Sequence, residues 1–337
     1  MHLDDFDYGL PPERIAQTPI EPRDAARLLV DRGSQAPSHR RVSDLLEILE
    51  PGDVLVVNDT KVLPARLRLS RKSGGAAEVL LLEAQDARRR TWEAMVRPAR
   101  KLHLGEQLVD AAGNPVIEIG GRSATGDTLI VSVLGEDDPL ETLVRLGEMP
   151  LPPYITSGLS DPSRYQTVYA AEPGSAAAPT AGLHLTPGLL AALESHGVGL
   201  ARVELVVGLD TFKPISVDDP TQHVIHSERY RVPEATLERC RDARRVIAVG
   251  TTSVRALESA ATFGDNEGRT RLFIHRGYEW KLVDLMLTNF HLPRTTLLLM
   301  IDAFIGARWR ALYDTALAEE YRFLSFGDAM LLDRRAV

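Results

Sequence analysis

Apolar positions along this chain follow two different rhythms. Val54–Val57 form a continuous apolar run that ends in the polar exit Asn58, Asp59 and Thr60, which is the pattern of a short buried strand. Alternating residues follow, and then EVLLLEA, TWEAMVRPA, GEQLVDAAGNPVIEIG and DTLIVSVLG, each a brief apolar stretch broken by Gly, Asn or Asp. Short strands at this spacing predict a compact β-barrel or a strongly twisted antiparallel sheet. From Thr186 the rhythm lengthens. TPGLLAALESHG and VPEATLERCRDARR read as helices between the apolar strands LARVELVVGL and RVIAVG, which predicts α/β layering. VLVVN has the same character as these later strands. The expected architecture is therefore α/β, with a larger α/β domain built from both chain ends (residues 1–61 plus 150–337). A small β-barrel domain (residues 62–149) is inserted in it, and the proline-dense EMPLPPYI marks the return crossing.

Composition narrows the classes. A chain of 337 residues with 44% hydrophobic content can bury a real core without disulfides, and its one cysteine, Cys240, lies in LERCRDARR, read as a helix surface or edge. The segment MHLDDFDYGLPPERIAQTP lacks the basic and apolar regions of an export signal, so a cytoplasmic location is expected. TTLLLMIDAFIGA is too short to span a bilayer and contains Asp302, so it is expected to be a core helix with no membrane role. The net charge of −8 opposes non-specific binding to a polyanion. Distribution changes that picture: residues 61–101 hold eleven Lys or Arg against four Asp or Glu, and residues 102–149 hold two against nine. Two solvated sides of a small β unit and a phosphate-facing stripe both fit this asymmetry.

Four segments carry candidate chemistry. RVIAVGTTSVRALES runs a buried strand into Gly250, Thr251, Thr252 and Ser253, with Arg255 near the start of the next helix. Free N–H groups and the helix dipole make such a start an anion or carboxylate site, and simple N-capping explains the same residues. In DPSRYQTVYAAEPGSAAAPTAGLHLT, the large polar groups Arg164, Tyr165, Gln166, Thr180 and His184 sit among small residues, including Gly182, a composition typical of binding loops. LVDLMLTNFHLP presents Asn289, Phe290 and His291 at an element end, where His291 is either a base or a hydrogen-bonded structural group. YRFLSFGDAMLL adds Arg322, Ser325 and Asp328, which read as a cap on a terminal strand. His223 and His226 stand near Glu228 without a cysteine pair or HExxH, so no metal is expected.

Taken in order, FDYGLPPERIAQTP with RDAARLLV, DVLVVNDTKVLPARL, VRPARKL, LPPYI, DPSRYQTVYA, APTAGLHLT, HSERY, VIAVGTTSVRALES, VDLMLTNFHLP and YRFLSFGDAM span essentially the whole chain. They resemble the S-adenosylmethionine:tRNA ribosyltransferase-isomerase family of queuosine biosynthesis. The resemblance implies an α/β domain with an inserted barrel. It also implies S-adenosylmethionine as a ribosyl donor acting on 7-aminomethyl-7-deazaguanine in tRNA, with release of adenine and methionine. No metal or permanently bound cofactor is implied, and a monomer is expected.

That chemistry needs a base for a proton of the 5′ carbon beside the sulfonium, for which His184, His291 and Asp59 are the candidates. Asn289 or a second histidine would serve the departing purine. Aromatic faces at Tyr165, Tyr278, Trp280 or Phe290 would favour the sulfonium. The methionine carboxylate would rest on Thr251 and Thr252 or on Arg255. The expected S-adenosylmethionine site is then Asn58, Thr60, Tyr165, Gln166, Thr180, Gly182, Gly250, Thr251, Thr252, Arg255, Tyr278, Asn289 and Phe290. Arg66, Arg68, Arg97, Arg100, Lys101 and Arg164 are the expected tRNA contacts. Where the family reads LHVGxGTF this chain reads LVVGLDTF, with Val206 in place of a histidine and Asp210 in place of a glycine. Two other readings stay open: a methyltransferase, which would place a Gly-rich loop where the first strand exits into NDTKV, and a non-catalytic tRNA-binding relative, which would bind tRNA in a salt-sensitive way without cofactor.

Overall fold

A computed structural model describes residues 1–123, 126–208, 215 and 217–336. Its largest element is a nine-stranded mixed sheet. The strands are β1 (Arg27–Val30), β2 (Ser38–Arg41), β3 (Val54–Asn58), β13 (Gly199–Leu205), β14 (Glu228–Arg231), β15 (Val246–Val249), β16 (Glu267–Thr270), β17 (Leu285–Asn289) and β18 (Ala329–Asp333). Their order is β16-β14-β13-β3-β15-β17-β18-β1-β2. β13, β3, β15 and β17 run parallel.

Both faces of this sheet are covered, which explains why its strands are apolar without alternation. Val54 and Val56 of β3 and Val246 and Ala248 of β15 join a core with α4 (Glu234–Asp242), α5 (Gly250–Phe263), α6 (Thr296–Ile305) and α7 (Arg308–Ala318). Leu55, Val57, Ile247 and Val249 point the other way, against α1 (Leu45–Ile48) and α3 (Pro187–Ser195). β3 lies between β13 and β15, so the later parallel strands of the chain are laid down on both sides of it. The carboxyl ends of such parallel strands, at the point where strand order reverses, form the crevice in which α/β proteins place ligands.

The second sheet is the expected barrel. β5 (Arg66–Arg71), β6 (Ala76–Ala84), β7 (Thr91–Arg97), β10 (Leu129–Val133), β9 (Pro115–Arg122) and β8 (Gln107–Val109) follow one another. β8 pairs back onto β5 and closes the ring. Alternate residues such as Leu67, Leu69, Val79, Leu81, Trp92 and Val131 fill its interior, and α2 (Pro139–Leu146) and β11 (Gly147–Glu148) complete the unit. A parallel two-stranded ladder of β4 (Thr60–Val62) and β12 (Glu172–Ser175) adjoins it.

Asp302 in α6 is buried and accepts bonds from Arg276 Nε and Nη2 (3.0 and 2.8 Å) and from Trp309 Nε1 (3.2 Å), which is how a core helix tolerates a carboxylate. Among the described residues no helix is long and apolar enough to cross a membrane. Cys240 corrects an expectation. It is buried on the inner face of α4 beside Leu237, one helical turn away, and burial pushes its thiol up to about 12, so the group is chemically quiet.

Candidate active site on the strand-end crest

The four parallel strands deliver Val206 and Gly208, then Asn58 to Thr60, then Gly250 to Thr252, and finally Asn289 along one crest. Asn58 ends β3 and acts as a clamp. Its Nδ2 donates to Leu205 O (3.0 Å) and its Oδ1 accepts from Leu205 N (3.2 Å) and Thr60 N (3.3 Å), so its amide is spent on joining β3 to β13. Gln166 clamps Val62 in the same way, accepting from its N–H (3.0 Å) and donating to its carbonyl (2.7 Å).

Asp59 is different. Its side chain is buried, Oδ2 lies 3.6 Å from Arg202 Nη1, and Oδ1 has no hydrogen-bond partner. Burial raises its pKa, partly offset by Arg202, which makes it a more basic carboxylate than a solvated one.

At the start of α5, Gly250 adopts φ +85°, a left-handed turn that favours glycine between strand and helix. Arg255, one turn on, is buried and donates from Nη1 to Glu228 Oε2, and Gly208 N donates to Glu228 Oε1 (3.0 Å). Nε and Nη2 of Arg255 and the hydroxyl of Thr252 are buried without hydrogen-bond partners. Buried donors of this kind are expensive when unpaired; a bound anion would satisfy them.

His184 closes the short 3-10 segment Thr180–His184. Asn289 Nδ2 donates to its Nε2 (3.0 Å) and to the carbonyls of Leu324 (3.2 Å) and Asp328 (3.5 Å), while Asn289 Oδ1 accepts from Thr180 (3.0 Å). Those partners fix the amide orientation, so His184 Nε2 is an acceptor and Nδ1 carries the proton. Burial, with Arg322 and Arg23 nearby, lowers its pKa to about 4. His291 is also buried and lowered to about 4, with Nε2 3.0 Å from Thr288 Oγ1. Its backbone is held by Tyr313 OH (3.0 Å) and by Tyr8 OH. Both imidazoles are neutral at neutral pH. Gly182 packs so closely that an added Cβ would lie 1.9 Å from the Tyr169 hydroxyl.

The crest thus gathers Asn58, Asp59, Thr60, Thr180, Gly182, His184, Gly250, Thr251, Thr252, Arg255 and Asn289. Tyr165 lies beside it, buried edge-on against Phe326. Three expected aromatic contacts fall elsewhere. Phe290 is fully buried among Tyr313, Tyr321 and Phe323 in the core. Tyr278 bonds to Glu258 (2.9 Å), well along α5, where that carboxylate also holds the backbone entering β17; this is the opposite end of the sheet. Trp280 likewise packs on Phe304.

The expected basic stripe divides. Arg68 is paired with Glu148 (2.9 Å) because β5 lies against β11, and Arg66 donates to Leu151 O (3.1 Å). Arg97, Arg100 and Lys101 are exposed. Arg164 is half-buried, bonded to Ile20 O (2.7 Å) and to Glu21 (2.9 Å). A cleft of about 920 Å³ opens between barrel and sheet, with Glu83 and Glu93 on one wall and Gly208, His226 and Arg269 on the other. Among the described residues no three His, Cys, Asp or Glu side chains gather as a metal site. Val206 is buried at the β13 exit; Asp210 lies outside the described residues.

Arg202 and Tyr169 were not singled out from the sequence, and Glu228 was weighed there only as a neighbour of His223 and His226 in a possible metal site. HSERY held it in a motif without giving it a role. Its role depends on a partner 27 positions away.

The sequence profile of the family described as "Queuosine biosynthesis protein" matches residues 3–332. The S-adenosylmethionine:tRNA ribosyltransferase-isomerase of Symbiobacterium thermophilum is 52% identical, with 98% of this chain and 100% of the relative covered. That of Moorella thermoacetica is 50% identical over the same shares. A crystal structure of S-adenosylmethionine tRNA ribosyltransferase from Thermotoga maritima superposes with a TM-score of 0.55 at 37% identity, covering 97% of this chain and 99% of that one. With the profile spanning nearly the full length and these relatives matched end to end, the chain belongs to the queuosine biosynthesis protein family.

Proposed function

We propose that this protein transfers and isomerises the ribosyl moiety of S-adenosylmethionine onto 7-aminomethyl-7-deazaguanine at the tRNA wobble position. The products are epoxyqueuosine-tRNA, adenine and methionine. The observation that carries this reading is the set of unsatisfied buried polar atoms along the strand ends: Asp59 Oδ1, Thr60 Oγ1, Thr252 Oγ1 and Nε and Nη2 of Arg255. They offer a carboxylate base and a cationic anion receptor along the same crest, as a sulfonium amino acid requires.

In this reading the methionine carboxylate takes the free edge of Arg255 and the Thr251–Thr252 start of α5. Asp59 accepts the 5′ proton, because its free oxygen and raised pKa suit a base. His184, whose Nε2 lone pair is occupied by Asn289, serves the purine through its Nδ1 proton, and His291 acts as scaffold. The cleft between barrel and sheet is in the size range of a ligand pocket. Arg97, Arg100, Lys101 and Arg164 contact tRNA. The protein works as a cytoplasmic monomer, without metal or bound cofactor, and divides at 1–61 plus 150–337 and 62–149.

The test is incubation with S-adenosylmethionine and tRNA carrying the aminomethyl base. Free adenine and methionine are expected. S-adenosylhomocysteine would replace this reading with methyl transfer, and neither product would leave tRNA binding alone.

A further inference from the structure

On the β18 side of the crest the chain segment 18–23 lies between two arginines. Arg322 Nη1 donates to Thr18 O (3.1 Å), and Arg164 Nη2 donates to Ile20 O (2.7 Å). The same segment supplies Arg23, which donates to the carbonyls of Gln166 (2.8 Å), Ser163 (3.2 Å) and Leu183 (3.3 Å). Three guanidinium groups are therefore held in place chiefly by neutral main-chain oxygens. Such bonds fix direction without cancelling charge. The carboxylate bonded to the group is Glu21, whose side chain is 70% exposed and lies 2.9 Å from Arg164 Nε; Asp161 lies near Arg23.

Arg23 and Arg164 line a small cleft together with His184 and Gly327. Arg23 is less basic than a free guanidinium because of burial and then because of Arg164 beside it. The cavity holds about 10 Å³, room for one water-sized atom. That is too little for a whole amino-acid headgroup and enough for a single oxygen of an anion that lies across the surface.

We propose that Arg23, Arg164 and Arg322 form a receptor for one phosphodiester of the RNA backbone, with a non-bridging oxygen entering the cleft beside His184 and displacing Glu21 from Arg164. Guanidinium forks suit phosphate oxygens in this way. The proposal rests on the tRNA reading above and sharpens it: a phosphate anchored beside His184 fixes the reacting nucleotide against the crest, whereas the exposed Arg97, Arg100 and Lys101 lie on the barrel.

The test uses binding of an anticodon stem-loop RNA with an unmodified guanine at the wobble position, without S-adenosylmethionine, across a series of KCl concentrations. Arg164→Gln is expected to weaken binding several-fold and to lower the salt slope by about 0.7–0.9, the contribution of one phosphate contact. Glu21→Gln is expected to tighten binding, a gain that misfolding cannot produce. Arg164→Gln with an unchanged salt slope, or Glu21→Gln with unchanged or weaker binding, would overturn the proposal. So would a rise in KM for S-adenosylmethionine with RNA affinity intact, which would assign the anion to the methionine carboxylate. If wild-type protein binds this RNA in the predicted way yet releases no adenine from the aminomethyl substrate, the enzyme reading fails while the phosphate receptor stands.

Discussion

Glu228→Gln separates the two jobs that Arg255 performs. In the free protein the guanidinium is buried and its charge is met by Glu228. The amide keeps a hydrogen-bond acceptor for Gly208 N and removes the counter-charge. Leaving one member of a buried ion pair alone costs about 3–5 kcal/mol, so the unliganded variant is expected to unfold at clearly lower urea concentration. The methionine carboxylate proposed to bind the free edge of Arg255 supplies the missing charge. S-adenosylmethionine should therefore stabilise the variant more than it stabilises the wild type. At a concentration one hundred times Kd, a ligand adds about 2.7 kcal/mol, and a tenfold tighter Kd at that concentration raises this to about 4.1 kcal/mol. Urea melts of both proteins with and without the ligand measure the difference directly. An equal ligand-induced gain in the two proteins, with the variant destabilised as expected, would refute placement of the carboxylate at Arg255.

Asp59→Asn should lower turnover by about 10²–10⁴-fold, the usual contribution of general base catalysis, while S-adenosylmethionine still protects the protein in a thermal melt; turnover within threefold of wild type would return the base role to a histidine. The neutral, buried His184 and His291 have folded pKa values of about 4, below the ordinary 6.5. Their contribution to stability is thus complete above pH 6.5 and is lost as pH falls towards 4. Each should cost about 2 kcal/mol between pH 7 and pH 5, so His291→Gln should flatten the pH dependence of the urea midpoint, and an unaltered dependence would contradict the burial argument. Gly182→Ala drives a methyl group into the Tyr169 hydroxyl and is expected to cost about 1–3 kcal/mol. Tyr169→Phe in the same chain should recover part of that loss in the melting temperature, and a double variant no better than the single one would show that the clash lies elsewhere.

The barrel and the layered sheet were readable because their hydrophobic periods differ: β6 and β7 sit in short, regularly broken segments, and β3 and β15 are apolar on both faces. Site residues were legible where local pattern marked them: Thr180 and His184 by loop composition, and Asp59, Asn289 and the Gly250–Arg255 segment by their places at strand exits and a helix start. Sequence spacing did not reveal that Asn58 and Gln166 spend their amides on neighbouring strands, because the consumer in each case is main chain brought in from far away. Phe290 adjoins Asn289, yet its ring turns into the aromatic core. Arg68 looked like a nucleic-acid contact until pairing of β5 with β11 put Glu148 beside it. Cys240 was misread because the charged residues flanking it masked its place on the face of α4 that Leu237 also turns into the core.

The connection from β3 to the barrel ties the two sheets to one chemical task. β3 ends at Asn58, Asp59 turns, and Thr60–Val62 form β4 directly before β5 begins at Arg66. The chain that presents the candidate base is therefore the chain that enters the barrel, and the barrel stands over the carboxyl ends of the parallel strands as a consequence of where it is inserted. On return, β12 pairs in parallel with β4, and Ala171 N donates to Asp59 O (2.8 Å), so the crossing back braces the same residue. Across the cleft, Arg269 of β16 grips Glu83 of β6 at 2.6 and 3.1 Å and bridges sheet to barrel. An insertion at a strand's amino end would have put the barrel at the far edge of the sheet, beside Tyr278 and Glu258. Inserted where it is, the barrel makes a wall for a crest that a bare α/β sheet would leave open to water, and the Arg269–Glu83 pair fixes that wall to the sheet.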